Sequence, residues 1–192
     1  MAAVKSRSAR NSHIPLGIPF AYCMPENAAM SADPNKKLHD LIKDFSAAML
    51  VTRTSAGELR SRPMAVAAVD DDGVFWFMTQ RDSGKLEEMA ADSHVNVAMQ
   101  SGLKFISVSG QVSIVEDRRK VAGMWQESWK VWFPKGKDDP DLVLLKVEPS
   151  TGEYWDNSDL SGLKYLLAAG KAYFTGTKPD VSDPDVHGKV AM

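Results

Sequence analysis

The sequence predicts a mainly β domain with flanking helices, in which antiparallel strands close into a barrel. Two observations support this prediction. Four or five β-prone runs follow one another with few helices between them, and short-hairpin signals such as Ala56-Gly57 and Asp72-Gly73 separate several of them. Dense antiparallel strands favour closure of the sheet, because closure removes exposed edges. The runs are Ala48–Thr54, Leu59–Val69, Val74–Met78, Val95–Gln100 and Phe105–Val115.

Three helices flank the predicted strands. The first spans 34–45, with Asp33 as its N-cap, Pro34 at its first position and a one-sided apolar stripe along its length. The second spans 83–91. The third begins near Asp117, and one stripe on it is formed by Val121, Trp125, Ser128 and Trp132.

The length of 192 residues accommodates one domain with loose ends. Residues 1–33 show no clear period and mix small residues with proline, which predicts an extended N-terminal arm. The domain itself is predicted over 34–177. Residues 178–192 are rich in Asp and Pro and are predicted to form a loose tail.

Composition argues against several classes of partner. The formal net charge is −2 with both signs interspersed, so neither nucleic acid nor an anionic membrane is an expected partner. No stretch approaches the roughly 20 apolar residues that a membrane-spanning helix needs. Cys23 is the only cysteine, which rules out an internal disulfide and favours a reducing compartment, the cytoplasm.

A strand-to-helix turn carries the clearest binding signal. Thr79 ends an apolar run, Ser83 opens a helical run, and Lys85 follows two residues later. Free backbone N–H groups and the helix dipole favour an anion at such a turn, and these three side chains add donors. The alternative is purely structural: Ser83 is an ordinary N-cap, and Lys85 pairs with Glu88.

The sequence lacks the residue motifs of the common nucleophilic and metal-dependent active sites. There is no serine elbow and no motif around Cys23, so no catalytic residue is assigned. No metal site is assigned either, because the Asp70–Asp72 run reads as a solvated turn and the histidines lie far apart. A binding site without catalytic side chains indicates a cofactor that supplies the reactive chemistry itself. The histidines are His13, His39, His94 and His187.

Aromatic residues concentrate in the last third of the chain. They exceed what one short helix normally buries, so they indicate a subunit interface or a flat ligand, with an ordinary core role left open. The cluster consists of Trp125, Trp129, Trp132, Phe133 and Trp155.

Together, these motifs resemble those of the pyridoxamine 5′-phosphate oxidase-like flavin-binding split barrels, over about residues 36–175. Within that family the chain is similar to the general stress protein 26 branch, which shares its Ser-Arg-Pro-Met strand and its loop at 133–142. The matching residues are Arg62-Pro63-Met64, Phe77-Met78-Thr79 with Ser83 and Lys85, and Val147-x-Pro149 leading to Glu153-Tyr154-Trp155.

The resemblance implies a split barrel that forms a homodimer and binds FMN, or FAD, at the subunit interface. It also implies a role for each matching residue. The phosphate is held by Arg62, Thr79, Ser83 and Lys85; the backbone around Pro63, Met64 and Met78 faces the ring; Trp155 approaches from the partner subunit; and the segment 125–133 walls the site.

Two single positions and one short segment differ from the pattern of the oxidases. Gly84 stands where a second basic residue commonly precedes the lysine, and Ala67 stands where the oxidases place a lysine. The oxidases follow their late tryptophan with an Arg-x-His element that handles the pyridoxal substrate, whereas this chain continues with Asp156-Asn157-Ser158-Asp159. Pyridoxamine phosphate oxidation is therefore not expected.

Two functions follow from this reading. The first is a flavin-dependent oxidoreductase that passes hydride or electrons between unidentified small molecules. The second is a stress protein that sequesters or senses FMN or FAD without turnover. A haem-binding split barrel is a third, weaker alternative that depends on His94, the only histidine in the predicted barrel region.

Overall fold

The computed structural model describes residues 33–176 and 186–192. The predicted arm therefore lies outside the described residues, except for Asp33. The elements in chain order are α1 Pro34–Ile42, β1 Ala47–Arg53, β2 Leu59–Val69, β3 Phe75–Gln80, α2 Gly84–Ala91, β4 His94–Ser101, β5 Lys104–Val115, α3 Arg118–Met124, a 3₁₀ helix Glu127–Val131, β6 Leu142–Asp156, α4 Asp159–Thr175 and β7 His187–Ala191.

Six strands close into an antiparallel barrel in the order β3-β2-β1-β4-β5-β6, and β6 pairs back onto β3. The long strand β6 makes this closure possible. Its first half, 142–147, pairs with β3, while its second half continues along β5 and accepts β7 on its other edge over 151–155. The prediction of a mainly β, antiparallel barrel with flanking helices is confirmed.

The C-terminal strand corrects one prediction. Residues 187–191 belong to the segment expected to form a loose tail, but they form β7 and pair with β6. The reason is hydrophobic, because Val186 and Val190 are both buried. Strand β6 and helix α4 are two further elements that the sequence did not predict.

The predicted third helix is also interrupted. Helix α3 ends at Met124, and Trp125 and Gln126 adopt extended backbone before the 3₁₀ helix begins. The interruption changes which residues share a face. Val121 and Trp129 are buried in one cluster, whereas Trp132, from the same predicted stripe, is 74% exposed.

Two apolar clusters lie on opposite faces of β3. Phe75 and Phe77 belong to the cluster that fills the barrel and is closed by residues of α1 and α2. Trp76 and Met78 belong to the other, which also contains Val121 of α3 and Trp129 of the 3₁₀ helix. Strand β3 is therefore buried on both faces, and this packing fixes the position of its C-terminal end.

Helix α1 closes the barrel through an unusually close approach to β6. Asp33 caps the helix by accepting from the backbone N–H of Asn35, as the sequence predicted, and Leu38 and Ile42 are fully buried. A Cβ atom at Gly152 would lie 2.2 Å from Leu38 Cδ2. Only glycine therefore allows α1 to pack at this depth. No helix among the described residues combines the length and apolar character needed to cross a bilayer.

The contact between Gly152 and Leu38 predicts a compensating pair of substitutions. We expect Gly152→Ala to destabilise the fold by about 1–3 kcal/mol through overpacking. Leu38→Ala should cost about 2–5 kcal/mol through the cavity it leaves. In the double variant the alanine methyl occupies part of that cavity, so its loss should fall short of the sum by at least about 0.5 kcal/mol. Urea denaturation of the four proteins measures this coupling, and strict additivity would contradict the packing described.

Candidate functional site

A cleft of about 580 Å³ opens where the middle of β2 and the C-terminal end of β3 meet the start of α2. This volume lies within the range of small-molecule sites. Its walls are mostly apolar, and its polar groups collect at one end around Lys85. The apolar lining comes from the strands through Pro63, Met64 and Met78, and from the 3₁₀ helix and the residues after it through Trp129, Trp132 and Phe133.

Lys85 organises the polar end of the cleft. Its Nζ donates to Thr79 Oγ1 at 2.7 Å and to Ser83 Oγ at 2.5 Å. The Ser83 side chain makes no capping hydrogen bond to helix α2, so its hydroxyl serves Lys85 instead. Lys85 also forms no ion pair with Glu88 or with any other described residue. Ser83 is the N-cap residue of α2 by position, as the structural alternative expected, but the ion pair between Lys85 and Glu88 that it also expected does not form.

Arg62 reaches the same region from β2. Its Nη2 donates to Glu88 Oε2 at 2.7 Å, while its Nη1 is buried and has no hydrogen-bond partner among the described residues. A buried donor without a partner costs free energy, and more when it carries charge. This nitrogen is therefore an unused cationic donor near Lys85, with almost no exposed surface.

Glu88 is the residue that sequence reasoning missed. Its carboxylate accepts from Thr52 Oγ1 at 2.6 Å and from Arg60 Nη1 at 3.0 Å, in addition to Arg62. The hydroxyl of Thr52 and the charge and hydrogen bond of Arg62 lower the pKa of Glu88, although its burial acts in the opposite direction. The sequence suggests Glu88 only as a partner of Lys85, because no local pattern shows that β1 and β2 face this side of α2.

The electrostatics at Lys85 favour an anion. Burial lowers the pKa of the Lys85 ammonium, and the nearby positive charge of Arg62 lowers it further. Glu88 and Asp82 offset this effect in part. A ligand with negative charge at this end would relieve the repulsion between the two cations.

Aromatic residues of the segment 125–133 form part of the cleft's wall. Trp129 is buried, and the ring of Trp125 packs edge-on against it with centroids 6.1 Å apart. Trp125 also contacts Phe133 at 6.4 Å, which places it behind the lining residues. Trp132 remains largely exposed although it lines the cleft, so one part of the wall faces both the ligand space and solvent.

Trp155 lies apart from the other expected cofactor-binding residues. It sits in the second half of β6, opposite Phe105 of β5 and His187 of β7, and it does not line the cleft. Its ring stacks on His187 at 5.3 Å, and the residue is 36% exposed. Of the expected cofactor-binding residues, the cleft is lined by Pro63, Met64, Met78, Thr79, Ser83 and Lys85. Arg62 lies near Lys85 without lining the cleft, and Trp155 lies outside.

Two other residues that the sequence singles out make their contacts outside the cleft. His94 is exposed at the start of β4 and contacts Asp92, so it offers no axial ligand to the cleft. Asp70 accepts from the indole N–H of Trp76 at 2.8 Å, which is a structural role. Within residues 33–176 and 186–192, no group of three or more His, Cys, Asp or Glu residues is arranged to hold a metal ion.

A comparison with known protein families identifies the family to which this chain belongs. The family model described as "Pyridoxamine 5'-phosphate oxidase like" matches residues 33–180. The chain belongs to this family. The match extends over the barrel, the cleft and helix α4.

Similar proteins include stress proteins. Protein bli-3 of Neurospora crassa is 32% identical over 135 residues, which cover 62% of this chain and 65% of bli-3, so the chain spans less than two thirds of that relative. A structure of a putative general stress protein 26 from Jannaschia sp. CCS1 is 26% identical, covers 84% of this chain and 99% of its own, and has a TM-score of 0.64. The general stress FMN/FAD binding protein of Xanthomonas citri, 23% identical with coverages of 65% and 92% and a TM-score of 0.56, shares the fold.

The position of Glu88 predicts a pH-dependent contribution to stability. Because its pKa is lowered in the folded state, its stabilising effect is present above its ordinary value near 4.5 and is lost as the pH falls through the folded value. We expect Glu88→Gln to cost about 1.5–3 kcal/mol at pH 7. The difference from wild type should shrink as the pH falls below 4.5.

The control for this prediction is Glu87→Gln, because Glu87 is exposed on the same helix. That change should alter the free energy of unfolding by less than about 1 kcal/mol. Denaturant unfolding across the acid range measures both variants. A Glu88→Gln difference that stays constant down to pH 3 would contradict the role given to the carboxylate.

Proposed function

We propose that this protein binds FMN and uses it as a flavin-dependent oxidoreductase. The observation that supports this proposal is the buried, unpartnered Nη1 of Arg62 beside the hydroxyl-bound ammonium of Lys85. Lys85 lines an apolar cleft, and Arg62 lies close enough behind the lining for its charge to lower the pKa of the Lys85 ammonium. A ligand that suits this arrangement has a phosphate at one end and a flat, largely apolar ring at the other.

Each part of the cleft has a role in this proposal. Arg62 and Lys85 hold the phosphate by charge-assisted hydrogen bonds, and the hydroxyls of Thr79 and Ser83 complete the donor set. Pro63, Met64 and Met78 provide one apolar surface for the ring. A second apolar surface for the ring comes from Trp129, Trp132 and Phe133.

The redox chemistry belongs to the flavin, whose isoalloxazine accepts and releases hydride or electrons at N5. The protein's contribution is binding and orientation. Lys85 and Asp82 are the only titratable side chains on the described lining of the cleft, and neither is paired as a general acid and base. We therefore assign no catalytic residue; the electron donor and acceptor are unidentified small molecules.

We further propose that two copies of the chain form a homodimer around the flavin site and that the protein acts in the cytoplasm. Trp155 has an exposed face and lies away from its own cleft, so it is available to a second copy of the chain. A structural neighbour is described as a general stress FMN/FAD binding protein, which agrees with flavin as the ligand. The lack of excess positive charge is consistent with small molecules, not nucleic acid or a membrane, as partners.

A second candidate is a flavin-binding stress protein without turnover. The absence of an acid–base pair on the described lining favours this alternative, as does the likeness to general stress protein 26. The two candidates share the same phosphate and ring contacts. They differ only in whether bound flavin exchanges electrons with a donor at a useful rate.

The phosphate contacts predict a selective loss in one variant. Lys85→Ala should weaken FMN binding by about 1.5–3 kcal/mol, because a charge-assisted hydrogen bond is lost. Riboflavin has no phosphate, so its affinity should be the same in variant and wild type. Flavin fluorescence quenching gives both constants. Lys36→Ala removes a lysine from an exposed ion pair on α1 and is the charge-matched control. Unchanged FMN affinity with a lower melting temperature would indicate a purely structural lysine.

Reduction of bound flavin separates the two candidate functions. We expect the purified protein to be yellow; a colourless protein that takes up no FMN in a titration would refute flavin binding. Adding NADH or NADPH without oxygen should bleach the visible flavin band faster than it bleaches free FMN under the same conditions. Bleaching no faster than that of free FMN, with both donors, would favour the passive binder.

A further inference from the structure

The outward face of four neighbouring strands carries no charged side chain. The strands are β2, β1, β4 and β5, and the residues that pair across them form continuous rows. This is unexpected for a solvated sheet face in a chain whose residues are 25% charged. Depletion of charge is typical of the centre of a protein–protein interface. The residues of this surface, the uncharged face, are Ser61, Pro63, Ala65, Ala47, Met49, Val51, Asn96, Ala98, Ser107 and Ser109.

The one amide on the uncharged face is satisfied within it. Asn96 Nδ2 donates to Ser107 Oγ at 2.8 Å and to Ser109 Oγ at 3.3 Å. Charged residues stand at the margins of the face, with Arg53 at the end of β1 and Glu153 on β6. The face can therefore be covered without leaving the amide donors unpaired, and charge at its margins resembles the polar rim of an interface.

The two ends of the uncharged face differ in shape. On β2 the face ends at the cleft, because Pro63 and Ala65 are also lining residues. Beyond its other end lies β6, where Glu153 pairs with Ser107 and Trp155 follows two residues later on the same outward side. Trp155 is 36% exposed. An apolar cavity thus opens at one end of the face, and an aromatic ring stands at the other.

These two ends fit a second copy of the chain. In a dimer with twofold symmetry the same surface of both copies forms the interface, and the symmetry axis exchanges its ends. An axis that runs parallel to β4 near Ala98 brings the β2 end of one copy onto the β6 end of the other. Ala65, at the cleft of one copy, then faces Trp155 of the partner subunit. One surface supplies both halves of the contact, so a second copy is the partner that fits.

A histidine accompanies Trp155. His187 stacks on its ring with centroids 5.3 Å apart and planes 13° apart. The Nε2 atom of His187 lies 2.9 Å from Glu153 Oε1, and it carries the proton of this bond because a carboxylate only accepts. Nδ1 has no hydrogen-bond partner among the residues that the structure describes. The imidazole is therefore held by two neighbours and keeps one ring nitrogen for a ligand.

We propose that a second copy of the chain docks on the uncharged face and contributes Trp155 and His187 to the cleft. Trp155 covers the apolar end of the cleft, and Nδ1 of His187 accepts a hydrogen bond from the N–H group of the isoalloxazine ring. The same contact brings an imidazole–carboxylate pair, His187 with Glu153, to a cleft whose own described lining has no paired acid and base. This assignment rests on the flavin function proposed above.

Sedimentation velocity of the full chain at micromolar concentration tests the interface. Wild type should sediment as a dimer. Ala98→Arg places a charge at the centre of the uncharged face and should give a monomer, whereas Ala90→Arg, the same change at an exposed position of α2, should stay dimeric. A monomeric wild type, or a dimer of Ala98→Arg as stable as wild type, overturns the interface. Ser107→Arg replaces Ala98→Arg if circular dichroism shows the latter to be unfolded.

A mixed dimer shows which copy completes the cleft. Lys85→Ala and the double variant Trp155→Ala/His187→Ala are co-expressed with different affinity tags, and the dimer that carries both tags is titrated with FMN. Each variant alone should bind FMN at least about tenfold more weakly than wild type. In the mixed dimer, one cleft combines an intact Lys85 with the partner's Trp155 and His187, so one FMN per dimer should bind with wild-type affinity. The lack of any such site overturns the contribution of the second copy.

The hydrogen bond of His187 has its own test. His187→Phe keeps an aromatic ring on Trp155 but removes the ring nitrogens. It should stay dimeric and weaken both FMN and riboflavin by about threefold to tenfold, the scale of one hydrogen bond to the ring. Wild-type affinity in this variant overturns the hydrogen bond. Wild-type protein that binds neither FMN nor riboflavin overturns the flavin function, and the sedimentation of Ala98→Arg still decides the interface.

Discussion

The buried carboxylate of Glu88 is the interaction on which the rest of the site depends. A buried carboxylate is costly unless it is hydrogen-bonded and paired, and Thr52, Arg60 and Arg62 supply those partners. These contacts attach helix α2 to strands β1 and β2. They also use one nitrogen of the Arg62 guanidinium and so orient the other. The position of Lys85 at the start of α2 follows from the same attachment.

This arrangement limits the net charge of the site. Glu88 neutralises part of the charge of Arg62, so an anion bound in the proposed site would be held more by directed donors than by a strong positive field. Affinity must then come also from apolar contact in the cleft, where Trp129 and Met78 are held by the outer cluster against β3. The folding core and the lining of the cleft share these residues, so the surface proposed to contact the ring would be preorganised.

Sequence reasoning succeeded where the signal is local. Thr79, Ser83 and Lys85 lie within one turn of chain, and their side chains do meet. Glu88 depends on the pairing of Leu50 with Arg62 across two strands, which no local pattern specifies. Strand β6 escaped prediction because 142–145 is buried on both faces and lacks the alternation of a half-buried strand.

The separation of Trp155 from the cleft constrains how any flavin contact could arise. Val143 pairs with Thr79 at the cleft, and Trp155 lies twelve residues further along β6, a path of about 40 Å at the usual rise per residue. Pairing with both β5 and β7 fixes Trp155 there, and stacking on His187 orients its ring. Moving it to its own cleft would break these ladders. A contact between Trp155 and a bound flavin therefore requires a second copy of the chain, and β7, which the sequence did not predict, holds the ring that such a copy would meet.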